Sequence, residues 1–593
     1  MEGDLGDTTV LRRNPLVLLD SLPLFHGLGL PALTEIAAEL EWQSLPGGAT
    51  LFEVGEAPDA LYIVLAGCLG VYAGGRERPT LLARIPAGET VGEMGLLSGH
   101  VRSATVRALR DTDLARMPRP AFDRLVLSHP AAMLRVAQLV VQRLETASRR
   151  SSGTAPRTFT LLPQGSEVDI DGFATGLVAA LARHGSAELV RSERGAAHTS
   201  QWFHRIESSN DFVVYVAEPT PTTWSKLCVR QADALLLLAN AAAPAGPWPV
   251  LGTVPAARGA DARAELVLLH PGYLQDGAGT RWCATLPGVP HHHVRGPQDV
   301  ARVARLLTGR GIGLVLSGGG ARGFAHIGVV RALREAGVPI DFVGGTSMGA
   351  IMGAGVAAGW TVTEMIERFR RSFVDTNPLN DYTLPVVSLV AGRKVSRLLR
   401  LAFGEVAIED LPLPFYAVSA NLTTGRGAVH RRGELWRWLR ASVAIPGVLP
   451  PVFQGGEVYV DGGAINNLPV DVMRELNRGI VIGVDVGSDT AFTADIQESD
   501  LPPLWRLLGW FRHNRRQPTI LQILWRAGMI NSAAATVAGR EQTDLLLQPP
   551  LADVDLLGWH SFELAIEAGY RHTRARLEAL DAPLRERLSA AAR

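Results

Sequence analysis

Two glycine-rich turns on consecutive strand-to-helix transitions constrain this chain more than any other feature of its sequence. The first lies in IGLVLSGGGARGFAHIGVVRALREAG: an apolar run of strand length, a glycine turn, then helical periodicity. The second, in VPIDFVGGTSMGAIMGAGVAAG, repeats that order around Gly345-Thr346-Ser347-Met348-Gly349. Strands alternating with helices build a parallel sheet, and sites form at the carboxyl ends of its strands. A serine in G-x-S-x-G at such a place is pushed out on a sharp elbow, and the glycines relieve crowding where the backbone turns. The helix that follows favours negative charge beside Ser347. Free N–H groups in the loop Gly318-Gly319-Gly320-Ala321-Arg322-Gly323 are then available as an oxyanion hole.

The same loop fits G-x-G-x-x-G, so a dinucleotide-binding oxidoreductase must be weighed. That fingerprint expects a carboxylate at the end of the next strand to hold a ribose. Here the next strand runs straight into the serine turn, which disfavours the oxidoreductase. A serine hydroxyl needs a base. After Ser347 the histidines His430, His513, His560 and His572 all lack a strand-to-turn setting. Asp461 has one: it ends the apolar run EVYVD, and Gly462-Gly463 turn the chain away. A carboxylate is a poor base in water but serves in a dry cleft, in direct contact with the hydroxyl.

GGGARG, GTSMG and DGG, in this order, resemble the three motifs of patatin-like phospholipases, and WLRASVAIPGVLPPV is similar to that family as well. The resemblance implies a Ser–Asp dyad without histidine. Ser347 would be the nucleophile and Asp461 the proton acceptor. Gly318, Gly319, Gly320 and the Arg322-Gly323 backbone would form the oxyanion loop. The hydrolase so implied covers 311–485, with a mostly helical extension over 486–593.

The N-terminal part reads differently. Short apolar runs separated by glycine turns, flanked by helical segments, indicate an antiparallel β-roll over 15–148. ASRRSSGTAPR supplies a linker at 149–156, and alternating strand and helix patterns over 157–300 indicate a middle α/β domain. Its first turn, TLLPQGSEV, lacks the lysine of a P-loop. The fold class expected is therefore multidomain: β-roll, α/β spacer, α/β hydrolase. Within the β-roll, a short helix beginning near Gly92 presents N–H groups to an anion. Arg102 can fork onto a phosphate, and Glu93 can accept from a ribose hydroxyl. VGEMGLLSGHVRSATV resembles the phosphate-binding cassette of cyclic nucleotide-binding domains, which implies Arg102 on the cyclic phosphate, Glu93 on the 2′-hydroxyl and Ser103 near the base. Cyclic AMP or cyclic GMP is the regulatory ligand implied, and catalysis needs no cofactor.

The three modules in series, with TWSKLCVRQADALLLLAN and VARLLTGRGIGLVLSGGGARG, look like the neuropathy target esterase-type lysophospholipases. That implies hydrolysis of a fatty acyl ester of a (lyso)phospholipid at a membrane or micelle surface. A non-catalytic cyclic-nucleotide-responsive adaptor is the alternative, disfavoured by the intact Ser347, Asp461 and glycine loop.

At 593 residues the chain exceeds one core, and 58 basic against 58 acidic residues give zero formal charge. With a linker and an α/β domain after the β-roll, rather than a helix-turn-helix, nucleic acid is not an expected partner. Three scattered cysteines (Cys68, Cys228, Cys283) fit small core residues in a reducing compartment. Neither a signal peptide nor a run of about 20 apolar residues is evident, so a cytoplasmic protein with peripheral membrane contact is expected. Its candidate contact is 501–528, where Trp505, Trp510, Phe511 and Trp525 mix with arginines, although a helix packed on the hydrolase fits equally well. His291-His292-His293 reads as a solvated loop, and no metal site is expected.

Overall fold

The computed structural model describes residues 29–73, 80–128, 156–251, 263–476, 478–487 and 532–592, with a few isolated positions besides. The contact candidate at 501–528 lies outside the described residues, apart from Ile523. The chain divides into two compact units, Met1–Leu269 and His270–Arg593.

The first unit opens with the β-roll. Its strands are β1 (Glu41–Leu45), β2 (Thr50–Phe52), β3 (Ala60–Ala66), β4 (Cys68–Ala73), β5 (Thr80–Pro86), β6 (Thr90–Val91), β7 (Thr105–Ala108) and β8 (Thr112–Pro118). They form two antiparallel sheets in the orders β1-β8-β3-β6 and β2-β7-β4-β5. The alternation along β3 explains the layering, because successive side chains point to opposite faces. Ala60, Tyr62 and Val64 face the second sheet, while Leu61 and Ile63 meet helices α1 (Leu30–Ala38) and α2 (Arg119–Ser128) through Ile36, Phe122 and Leu125.

The α/β domain of this unit holds β9 (Thr158–Pro163), β10 (Ala187–Val190), β11 (Phe212–Val216), β12 (Ala234–Asn240) and β13 (Arg263–Leu269). They pair in parallel in the order β10-β11-β9-β12-β13. As expected of a parallel sheet covered on both faces, β9 and β11 are buried throughout. Charged pairs tie it to the β-roll: Arg110 to Glu207 and Asp233, Arg84 to Asp233 at 2.8 Å, and Arg230 to both oxygens of Asp111.

The hydrolase sheet in the second unit contains β15 (Gly311–Leu316), β16 (Phe342–Thr346), β17 (Phe415–Asn421), β18 (Arg426–His430), β19 (Val452–Gln454), β20 (Glu457–Asp461), β21 (Gly479–Val484) and β22 (Leu545–Leu547), following a short strand β14 (His291–Val294). Its order is β19-β20-β17-β16-β15-β21-β22, with β18 on β17. Part of the segment after 485 is thus built into this sheet, since β22 pairs in parallel with β21. Helix α3 (Ala325–Glu335) then packs against a C-terminal helix, α4 (Phe562–Glu578), in the same layer.

The three histidines of β14 are not a solvated loop: His292 and His293 are buried. The Gln275 N–H donates to His270 Nδ1, so His270 carries its proton on Nε2 and donates to His293 Nδ1 at 2.8 Å. His293 Nε2–H and His291 Nε2–H both donate to the Glu409 carbonyl. Burial pushes His270 and His291 down to about 4 and lowers His293 as well, so these three rings are neutral at pH 7. Among the described residues no cluster of histidine, cysteine or carboxylate groups fits a metal ion.

Candidate active site

Strand β16 delivers Thr346 to a sharp turn, and Ser347 adopts φ 54°, ψ −125° before helix α5 (Met348–Ala357) begins. A positive φ is costly for a residue with a Cβ, so the surroundings must hold it. The Ser347 N–H donates to Ser442 Oγ at 2.8 Å, and Ser442 Oγ donates to the Val418 carbonyl on β17. Thr346 Oγ1 donates to the Asn466 carbonyl, and the Ser347 carbonyl accepts from Ala350 and Ile351 in the first turn of α5. Gly349 is required because a Cβ there would stand 2.2 Å from the Leu316 carbonyl oxygen. Gly345 is squeezed against Gly349 and the same carbonyl.

Ser347 Oγ donates to Asp461 Oδ2 at 2.8 Å, and both residues are buried, at 4% and 2% exposure. Asp461 Oδ1 accepts from the Gly463 N–H at 2.8 Å, and the Asp461 N–H is held by the Ala444 carbonyl. Gly462 lets the chain leave β20, since a Cβ would meet the Val418 carbonyl at 2.2 Å. Burial raises the Asp461 carboxyl to about 7, partly opposed by the Gly463 and Ser347 hydrogen bonds. A carboxylate so desolvated is a far stronger base than one in water.

Gly318 lies against Ser347: a Cβ on it would come within 2.9 Å of Ser347 Cβ. Of the glycine loop, Gly318 N donates to Asn467 O, Ala321 N to Leu556 O and Arg322 N to Gly319 O. The Arg322 side chain is anchored on the Val554 carbonyl. The Arg322 amide is therefore engaged, whereas the N–H groups of Gly319 and Gly320 meet no acceptor among the described residues. Gly323 allows the loop to rest on Met348.

No described imidazole bonds to Ser347 or Asp461. His430 is buried, bonded to Ser419 Oγ and stacked on Trp438 with centroids 3.8 Å apart. His572 accepts from Gln548 N, and His326 is spent on the Ser317 carbonyl. Ser442, which fixes the elbow, was not singled out from the sequence. It sits in the quoted WLRASVAIPG, where nothing local marks it.

The Asp461 shift sets a pH dependence. With Asp461 as the proton acceptor, kcat/KM on a soluble ester should rise with an apparent pKa near 7 and fall about tenfold per unit below pH 6. Stability runs the other way: a carboxyl raised above its unfolded value stabilises the fold fully below about 4, and that stability is lost as pH rises through 7. The melting temperature of Asp461→Asn relative to wild type should therefore climb between pH 5 and pH 8. A flat difference would show that Asp461 ionises without cost.

In the β-roll, Gly92 takes φ 96° ahead of the short helix Glu93–Ser98, and Glu93 is buried. Arg102 is also buried: Nη1 donates to the Gly92 carbonyl, and Nη2 to Asp59 and the Ala60 carbonyl. Its guanidinium lies 4.2 Å over the Phe52 ring, and its Nε–H has no acceptor among the described residues. A Cβ on Gly92 would be strained at φ 96° and would press Arg102 Nη1 at 2.6 Å and the Ala60 carbonyl at 3.0 Å. Ser103 is exposed beside it. Asp59, which anchors Arg102, carries no motif that would reveal it in the sequence.

Three family models match the chain: a cyclic nucleotide-binding domain at 42–129, a neuropathy target esterase family P-loop like domain at 156–307, and a patatin-like phospholipase at 314–474. An uncharacterized NTE family protein of Mycobacterium tuberculosis is 30% identical over 95% of this chain and 96% of its own length. Lysophospholipase nte1 of Aspergillus niger is 29% identical over 96% of this chain but 44% of its own length. The patatin-like phospholipase domain-containing protein 6 of Pongo abelii is 29% identical over 95% and 47%. The chain thus spans less than half the length of the latter two relatives.

Proposed function

Because this chain belongs to the neuropathy target esterase family, we propose that it is a serine esterase that removes a fatty acyl group from a phospholipid or lysophospholipid. The observation that carries this reading is the buried 2.8 Å hydrogen bond from Ser347 Oγ to Asp461 on a nucleophile elbow. Asp461 takes the hydroxyl proton as Oγ attacks the acyl carbonyl carbon. The Gly319 and Gly320 N–H groups bind the oxyanion that forms. The C–O bond to the glycerol oxygen then breaks, and Asp461 returns the proton to that oxygen. Water, deprotonated by Asp461, next cleaves the acyl-Ser347 ester and restores the enzyme. Fatty acid release from lysophosphatidylcholine, with fluorophosphonate labelling mapped to Ser347, tests the assignment. A protein that neither labels nor hydrolyses would leave an adaptor.

The match at 42–129 supports a cyclic nucleotide as regulatory ligand, whose phosphate would draw the Arg102 guanidinium away from Gly92, Ala60 and Asp59. Arg102→Ala should weaken cyclic AMP or cyclic GMP binding at least a hundredfold in calorimetry, with basal hydrolysis intact. Absence of heat with either nucleotide on wild type would make the β-roll a scaffold. The charged pairs joining β-roll and α/β domain are the described route by which binding would be felt beyond the roll. The run of helical periodicity HPAAMLRVAQLVVQRLETA at 129–147, which leads from the β-roll into the linker and could transmit binding, lies outside the described residues except for Gln138.

A further inference from the structure

Residues 381–392 make an apolar finger on the hydrolase unit. Its base is closed by a bridge between Tyr382 and Val390 and by the Thr383 N–H on the Leu389 carbonyl. From Tyr382 in that base to Val387 at the tip, six consecutive residues are exposed. Tyr382 stands 77% exposed, Leu384 78%, Val386 81% and Val387 61%. The stretch 382–392 carries no charged side chain. Folded chains seldom leave so contiguous an apolar surface in water unless it meets a partner.

The finger is joined to the dyad through one loop. The Ala444 carbonyl holds Asp461, and three and four residues later the Gly447 and Val448 carbonyls hold the N–H groups of Leu389 and Val390. Ser388 Oγ donates to the Val390 carbonyl, which tightens the base further. Arg440, buried beneath, donates to Pro450, and Gly392 leaves it room: a Cβ there would meet its Nη2 at 2.5 Å. The collar is cationic. Helix α6 (Arg393–Phe403) starts at the finger's end, and its Arg393 and Arg397 are exposed with no carboxylate partner among the described residues. Asp381 faces inward, accepting from the Lys394 N–H.

An uncharged apolar tip flanked on one side by two arginines, with no carboxylate partner among the described residues, has the polarity of a phospholipid interface, acyl region outermost and phosphate at the collar. We propose that the Tyr382–Val387 finger, with Arg393 and Arg397, docks this unit on an anionic phospholipid bilayer beside the catalytic cleft. The inference rests on the reading of the site as a lipid esterase.

Sedimentation with sucrose-loaded vesicles tests it, using full-length Ser347→Ala protein so that the lipid stays intact. Binding to vesicles of phosphatidylcholine with 30% phosphatidylglycerol should drop at least tenfold in Leu384→Asp/Val386→Asp/Val387→Asp. Arg393→Glu/Arg397→Glu should lose about tenfold or more on those vesicles, on the order of fivefold per arginine, and little on pure phosphatidylcholine. With Ser347 restored, both variants should hydrolyse p-nitrophenyl butyrate at the wild-type rate, which also shows that they fold. Wild-type vesicle binding by the triple aspartate variant would overturn the proposal. So would a wild-type dimer that this variant dissolves, because the finger would then meet a second copy. Failure of the esterase reading is separate: it shows as no butyrate hydrolysis by any Ser347 protein, whatever the vesicles bind.

Discussion

Ser347→Ala and Asp461→Asn are each expected to cut turnover about a thousandfold or more while leaving the fold intact. The dyad acts as one unit: alanine removes the attacking atom, and an asparagine amide cannot take its proton. Losses from groups that act together do not add, so the double variant should be scarcely worse than either single one. Asparagine keeps the Gly463 contact through its carbonyl oxygen, so the effect is chemical rather than structural. His430→Ala and His572→Ala should keep activity within about tenfold, because these rings bond to Ser419 and Gln548 and not to the dyad. Steady-state fatty acid release, with circular dichroism on each variant, makes the comparison. Near-wild-type activity in Ser347→Ala would remove the mechanism altogether.

A substitution far from the chemistry should be as damaging to the protein itself. Helices α3 and α4 cross at Gly328 and Gly569 so closely that a Cβ on Gly328 would lie 1.9 Å from the Ile566 carbonyl oxygen. A Cβ on Gly569 would lie 2.1 Å from the Ala325 carbonyl oxygen. Both obstacles are helix backbone, which cannot yield without parting the helices and opening the layer that holds Phe324, Phe562 and Ala565. Overpacking of this kind costs several kcal/mol, at or above the usual ~1–3 kcal/mol because no side chain can swing aside. Gly328→Ala and Gly569→Ala should therefore each lower the melting temperature by about 10 °C, on a scale of ~2–4 °C per kcal/mol for a unit this large. Gly296→Ala is the control, since its backbone is extended and a Cβ would touch nothing within 4 Å. Equal melting of Gly328→Ala and Gly296→Ala would mean that the helices separate freely.

The sharp turn at Ser347 was legible in the sequence because its causes are local. A serine at positive φ needs glycines within two residues, and a carboxylate ending a strand needs glycines to turn the chain away. Those requirements leave short motifs at fixed spacing. The β-roll and the middle α/β domain were legible through periodicity, since β3 and β9 bury the side chains that their patterns predict. The fold class follows from these, and the match at 42–129 agrees with the β-roll.

What the sequence could not supply depends on partners far along the chain. The histidines of β14 look solvated, as three adjacent imidazoles do in isolation. They are buried because the Glu409 carbonyl, more than a hundred residues on, accepts from two of them and His270 completes the chain. The strand Leu545–Leu547 is three residues long, too short to show a period, and exists because β21 offers it an unpaired edge. Ser442 and Asp59 carry no motif, yet one holds the Ser347 amide and the other the Arg102 guanidinium. The sequence alone determined which backbone turns must be glycine and which groups can react. Tertiary structure alone decided how deeply Asp461 is buried, and hence that its carboxyl is poised near 7, because desolvation is a property of everything packed around a group.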